Sequence, residues 1–272
     1  MDYFVAPDSI VRRIWGKGDT ILFIFAGAAA EFALNKAVDW LYFTGRLPTD
    51  PLGRLFSTVE YARKIVFAER HAAERAIDTI AAIHGAVEQN RGMAIPDWAY
   101  RDVLFMLIHY SIRAFEVLER PLTEAEKDEV VAVFCRVGRR MGISELPDTY
   151  ATWLPTREYH LANDLAHSAY TIDLYHQYRK HLGAFRYQLV LAGQRLVVPA
   201  HVRTLLSLPN ATWLRVSLPA YRLAQRVALG RWLRSLLLPA AYQAQILALD
   251  ATPVATTLSF RPAPHATRPA IG

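Results

Sequence analysis

The stretch VLFMLIHYSIRAFEVL, residues 103–118, is apolar nearly all the way round over its first turns. A helix of that kind is buried on every side, so it marks the centre of a helical core rather than its edge. Outward from it, almost every segment repeats its apolar residues with the helical period, and none shows the alternation of a half-buried strand. Thr123-Glu124-Ala125-Glu126, two residues after Pro121, is a capping box and a firm helix start. Asp97 and Asp148 each follow a proline and are expected to cap the helices they open. The spacing predicts helices over 8–15, 19–42, 54–69, 70–89, 97–119, 123–142, 148–167, 169–181, 184–196, 200–207, 213–236 and 239–249. Pro155 and Pro219 should kink or split the two helices that contain them. The run TGRLPTDPLG, residues 44–53, reads as the clearest irregular loop. The fold class is therefore all-α: one domain over 1–250 of roughly ten packed helices, resembling a globin only in being helical. A Pro-rich tail, 251–272, is expected to be extended or disordered.

The chain has 272 residues, 53% hydrophobic and 21% charged, which excludes disordered and fibrous classes and supplies a large core. One cysteine, Cys135, cannot form an internal disulfide and points to a reducing compartment. The N-terminal residues MDYFVAPDSIVRRIW do not read as a signal peptide, having no apolar run before their arginines. Ile21–Leu34 is apolar but only fourteen residues long, and it contains Glu31; a spanning helix needs about 20. The expectation is a cytoplasmic protein, with attachment to a membrane surface left open. The net charge of +6 is unevenly placed. Residues 1–173 hold 19 Lys/Arg against 24 Asp/Glu, whereas 174–272 hold 12 against Asp250 alone.

Two neighbouring helices are read together. Arg54, Thr58, Tyr61 and Ile65 fall on one face at i, i+4, i+7 and i+11. Ile77, Ile80, His84 and Val87 form a second stripe that sets an imidazole among aliphatic side chains. The far side of that helix carries His71, Glu74 and Asp78, a solvated and salt-linked surface. From spacing alone, His84 is most simply a core histidine satisfied by a carbonyl, and Arg54 a helix-start residue paired with a carboxylate.

The run Arg54-Leu55-Phe56-Ser57-Thr58-Val59-Glu60-Tyr61, followed by His84-Gly85-Ala86-Val87, resembles the latex-clearing-protein and MpaB-like oxygenase family. Further fragments agree in order: Ile14–Asp19, Arg120–Lys127, Met141-Gly142-Ile143 and Leu146-Pro147, so that the resemblance spans about residues 10–210. It implies an all-helical protein binding haem b, with His84 as the proximal ligand of the iron. It places Arg54 and Thr58 in the same site, Arg54 as partner of a haem propionate or orienter of groups around the iron, Thr58 as a hydrogen-bonding group. The implied reaction is O2 activation followed by oxidation or cleavage of a hydrophobic, unsaturated, isoprenoid-like small molecule. Phe105, Met106, Tyr110 and Phe115 are available to line an apolar pocket, or simply to fill a core. Two departures count against polyisoprene cleavage. Rubber-cleaving members carry a lysine immediately before the motif threonine, where this chain has Ser57. They also use a pocket glutamate upstream of the arginine, for which Asp39 is the nearest candidate. A haem-dependent hydroxylase or peroxidase-like enzyme, and a haem carrier or sensor without turnover, stand as alternatives.

His109 is the runner-up iron ligand, or else a satisfied core histidine. Cys135, among Val131, Phe134 and Val137, is most simply a small buried hydrophobe. His160, His167, His176 and His181 crowd the middle with Glu158, Asp164 and Asp173, but no Glu-x-x-His pair of a di-iron site is present. They read as surface or interhelix polar groups. The basic region 179–234 interleaves Arg215, Arg222, Arg226 and Arg234 with Trp213, Leu218, Leu223 and Trp232. That pattern suits peripheral membrane contact through an interfacial helix, and equally an arginine-rich outer face. No nucleic-acid motif accompanies it, and none of these readings fixes the oligomeric state.

Overall fold

The helices pack around a central pair, α2 and α6, in a computed structural model that describes residues 2–44 and 51–209. Among the described residues there are ten helices: α1 Ile10–Trp15, α2 Gly18–Phe32, α3 Asp39–Phe43, α4 Pro51–Phe67, α5 Arg70–Arg91, α6 Asp97–Leu118, α7 Glu124–Arg140, α8 Tyr150–Asn163, α9 Ala169–Val197 and α10 Ala200–Leu205. The helices expected at 213–236 and 239–249, the Pro219 break, most of the 44–53 loop, most of the basic region and the tail lie outside the described residues.

The central helix is where the apolar stretch put it. α6 buries Leu104, Phe105, Met106, Ile108, Ile112, Ala114 and Phe115, although Val103 is 41% exposed. α2 packs along α6 on one side and α9 on the other, and α7 closes over α6. Trp15 is buried and its Nε1 donates to Ser111 Oγ of α6 at 3.1 Å, which fixes α1 across the bundle. Close approach of α2 and α6 requires Gly27: a Cβ there would fall 2.2 Å from the Tyr110 ring.

Several helix starts and ends differ from the sequence expectation, each for a physical reason. The helix expected over 19–42 breaks at Ala33–Val38 because Asn35 turns the chain. Its Oδ1 accepts from Ala37 N at 2.8 Å, and Asn35 bridges to Leu165. Lys36 N donates to Asp164 O at 2.9 Å and Ala166 N to Leu34 O at 2.8 Å, so these backbone groups bond across the bundle instead of along a helix. α4 begins at Pro51, earlier than expected, with proline in the first helical position where its missing N–H costs nothing. Asp97 and Asp148 are not caps. Asp97 sits inside the first turn of α6 and accepts from Ser144 Oγ at 3.0 Å; Asp148 pairs with Arg139, and Thr149 caps α8. The break expected between 169–181 and 184–196 is present within α9 at Gly183, whose φ of 73° only glycine takes easily. α8, by contrast, runs through Pro155.

The capping box forms as read: Thr123 Oγ1 accepts from Glu126 N and the Glu126 carboxylate accepts from Thr123 N. Cys135 is fully buried on α7, and burial pushes its thiol up to about 11. Because the thiolate is the nucleophile, Ellman's reagent should label the native protein at least about a hundred-fold more slowly than the urea-unfolded chain; comparable rates would show that the α7 packing is wrong.

Deep in this core lies a polar cluster. Arg157 of α8 donates from Nη2 to Glu31 Oε2 of α2 at 2.5 Å and from Nη1 to Asp102 Oδ1 of α6 at 3.3 Å. Tyr110 OH donates to Glu31 Oε2 at 2.8 Å, and Asn35 Nδ2 donates to Asp102 Oδ2. All five residues are buried. One guanidinium faces two carboxylates, and burial together with the Glu31 charge raises the Asp102 carboxyl well above the usual range.

Candidate functional site

α4 and α5 form an antiparallel hairpin turning at Ala68–Glu69. Arg54 and His84 each lie fifteen residues from Glu69, so at 1.5 Å per residue both are about 22 Å from the turn and level with one another. The hairpin thus brings the arginine position and the histidine to the same height. Arg54 is in the first turn of α4, and its side chain lies outside the described residues. Burial along its stripe fades toward that end: Ile65 is buried, Tyr61 half-buried and Thr58 exposed. Thr58 therefore stands one turn along from Arg54 on a surface, not within a packed core.

His84 is half-buried on α5, between Ile80 and Val87, which are half-buried too. Its imidazole meets the Tyr100 ring of α6 edge-on at 5.3 Å. Ala82, Ile83 and Ala86 beside it are exposed, and a Cβ built on Gly85 would meet nothing within 4 Å. The opposite side of α5 is pinned to α7, where Arg140 pairs with Glu74 at 3.5 Å and Asp78 at 2.8 Å. This is the salt-linked face expected from the sequence, and it turns the imidazole away from α7.

One turn along from His84, Glu88 Oε1 accepts from Ile95 N at 2.8 Å and from Tyr100 OH at 3.2 Å. Burial and the Glu88 charge raise the Tyr100 phenol, so it stays a neutral donor. Arg91, last in α5, donates from Nη2 to Asp39 Oδ2 of α3 at 2.6 Å. Its guanidinium lies 4.0 Å over the Trp40 ring and 5.4 Å from that of Phe43. The second terminal nitrogen, Nη1, is buried and without a hydrogen-bond partner. Gly92 then ends the helix in the left-handed conformation, φ 72°. His84, Glu88, Arg91, Tyr100 and Asp39 so form one surface across α5, α3 and the start of α6.

His109 does not join them. It is nine residues beyond Tyr100 on α6, a rotation of about 180° that sends it to the other face. There it lies 5.0 Å from the Tyr110 ring and 6.5 Å from that of Trp153. Burial, with Arg157 and Arg113 nearby, holds its imidazole well below the usual value, hence neutral. His160, expected at a surface or between helices, is buried and bonded through Nδ1 to Asp164. α8 ends at Asn163, so His167 does not continue its face. Among the described residues no three His, Cys, Asp or Glu side chains cluster as metal ligands.

The donor set around His84 fits a haem better than a bare metal ion. A single nitrogen ligand suffices where a macrocycle supplies the other four, small residues flank the imidazole, and a buried guanidinium nitrogen on the same face can receive a carboxylate. The family resemblance had singled out His84 and Asp39 but not Arg91 or Tyr100. Arg91 carries a legible signal, since it falls at i+7 from the histidine.

A groove between the N-terminal segment and α7, lined by Tyr3, Phe4, Pro7, Arg70, Glu129 and Arg136, lies at the other end of α5. Arg70 is fourteen residues from His84, roughly 21 Å along the helix, so the two do not belong to one site. Among the described residues no helix is long and apolar enough to cross a membrane. The family described as "ER-bound oxygenase mpaB/B'/Rubber oxygenase, catalytic domain" matches residues 12–257 of the chain. No curated protein and no solved structure matches it.

Proposed function

The chain belongs to the family of mpaB and rubber oxygenase catalytic domains, and from that premise we propose that it is a haem b-dependent oxygenase acting on a hydrophobic, unsaturated small molecule. The observation that carries the proposal is His84: a half-buried imidazole, flanked by small residues, level with Arg54 across a helical hairpin. When bound, the haem supplies the iron at which O2 is activated.

The rest falls to this chain's own residues. His84 would supply a nitrogen to hold the iron, and the Tyr100 ring edge limits how the imidazole can rotate. Arg54 and Thr58, one turn apart on α4, take supporting roles toward the cofactor's charged edge and its bound ligand. Ser57 in place of a lysine leaves that position without a cation to cap the iron, which argues for a small substrate over polyisoprene. The arginines between 179 and 234 offer peripheral contact with a membrane from which a greasy substrate would be drawn.

The absorption spectrum of protein expressed with ample haem tests the reading. A Soret band is expected in the wild type. His84→Ala should lose haem by at least about ten-fold in affinity or shift the band. Oxygen uptake with farnesyl or carotenoid substrates then separates an oxygenase from a carrier. Wild-type protein that stays colourless after haemin addition would sink the haem assignment, and an unchanged spectrum in His84→Ala would move the ligand elsewhere.

A further inference from the structure

We propose that Arg91 anchors a carboxylate of the haem, with Asp39 holding the guanidinium ready for it. The inference rests on the haem reading above and adds to it a residue on the described surface.

Three observations converge on Arg91. It lies seven residues after His84, so the two share a face of α5 and are about 10.5 Å apart along the axis. A macrocycle held by that imidazole with its plane along the helix axis would extend toward Arg91. Two turns is then comparable with the reach from the centre of a porphyrin to the carboxylates at its rim. Second, the guanidinium is already fixed, stacked 4.0 Å over Trp40 and bonded to Asp39 at 2.6 Å. Third, one end of the fork is unused: Nη1 is buried and makes no hydrogen bond. A buried charged donor without a partner is costly, and a carboxylate is the acceptor that a guanidinium fork matches.

The anchor differs from the axial ligand in what it controls. His84 decides the electronic state of the iron, whereas Arg91 would affect only how firmly the macrocycle is held. Asp39 is accordingly a positioning residue. By pairing Nη2 it fixes the fork and leaves Nη1 as the nitrogen still without an acceptor.

Haem release to excess apomyoglobin, followed in the Soret region, gives the readout without any turnover. Arg91→Ala should release haemin roughly ten-fold faster than wild type, with the band position unchanged because the axial ligand is intact. Asp39→Asn should release it faster than wild type but more slowly than Arg91→Ala, because the guanidinium stays stacked on Trp40. With haem dimethyl ester, whose carboxylates are masked, wild type and Arg91→Ala should agree within about two-fold. Several outcomes overturn the anchor: equal release of haemin by wild type and Arg91→Ala, a difference that persists undiminished with the diester, or Asp39→Asn losing haem as fast as Arg91→Ala. The last two would mark the ion pair as a structural tie between α3 and α5. A wild type that takes up no haem rejects the haem reading and the anchor together; a loaded wild type matched by Arg91→Ala rejects the anchor alone.

Discussion

Arg157→Leu should destabilise the fold by about 3–5 kcal/mol, the range for breaking a buried ion pair from one side. The guanidinium is 1% exposed, and Glu31 and Asp102 are both 0% exposed. Leucine fills much of the volume but leaves two carboxylates in the core with only Tyr110 and Asn35 to bond them. At neutral pH they must either stay charged without a cation or take up protons, and both options cost folding free energy. The sign of the pH dependence follows. Carboxyls whose folded pKa is raised contribute stability below the ordinary carboxylate range and lose it as pH rises through the raised value. The deficit of Arg157→Leu should therefore be largest near pH 7 and shrink toward pH 5, by at most about 1.4 kcal/mol per pH unit for each proton. Urea midpoints at the two pH values measure it. A loss under about 1 kcal/mol at pH 7, or one that grows on acidification, would mean that the cluster is not closed as described.

The second large effect runs against helix propensity. Gly27 lies inside α2, where alanine would ordinarily gain about 1 kcal/mol. Its added Cβ would stand 2.2 and 2.3 Å from Cδ1 and Cε1 of Tyr110. The ring cannot retreat cheaply, since it is fully buried and its hydroxyl is held by Glu31. Overpacking of that kind costs about 1–3 kcal/mol or more, and here it also disturbs the polar cluster, so the clash wins. Gly27→Ala should lose about 2 kcal/mol net, roughly 4–8 °C in Tm. Tyr110→Leu in the same chain should relieve part of the clash, making the double variant less unstable than the two single losses added together. Strict additivity, or a stabilised Gly27→Ala, would show that α2 and α6 do not approach this closely.

Helices were legible where periodicity and end signals coincided. The capping box at Thr123 and the apolar run at 103–118 each define an element through contacts within a few residues. The break after Phe32 was not legible, because Asn35 stops the helix through bonds to Asp102 and to the segment around Leu165, far away in sequence. The same holds for the polar core. Glu31 read as one acid in an apolar run, and nothing in the sequence tied it to Asp102 or Arg157; only packing shows that they meet. At the site, family resemblance singled out His84, while spacing alone favoured a plain core histidine. Asp39 was singled out as a pocket carboxylate, but its partner Arg91 was not, lying just beyond the helix end expected at residue 89. What joins them is the placement of α3 against the end of α5, a tertiary fact.

The distance in sequence between Glu31 and Arg157, 126 residues, also sets an order of events during synthesis. At about 5–20 residues per second, α2 waits roughly 6–25 s on the ribosome before its counter-charge has been made. Through that interval an apolar helix carries a carboxylate that nothing yet neutralises, so it gains little by burying itself against α6 alone. The nascent chain is thereby held from closing its core on an incomplete set of helices, and docking of α8 becomes the step that commits the domain.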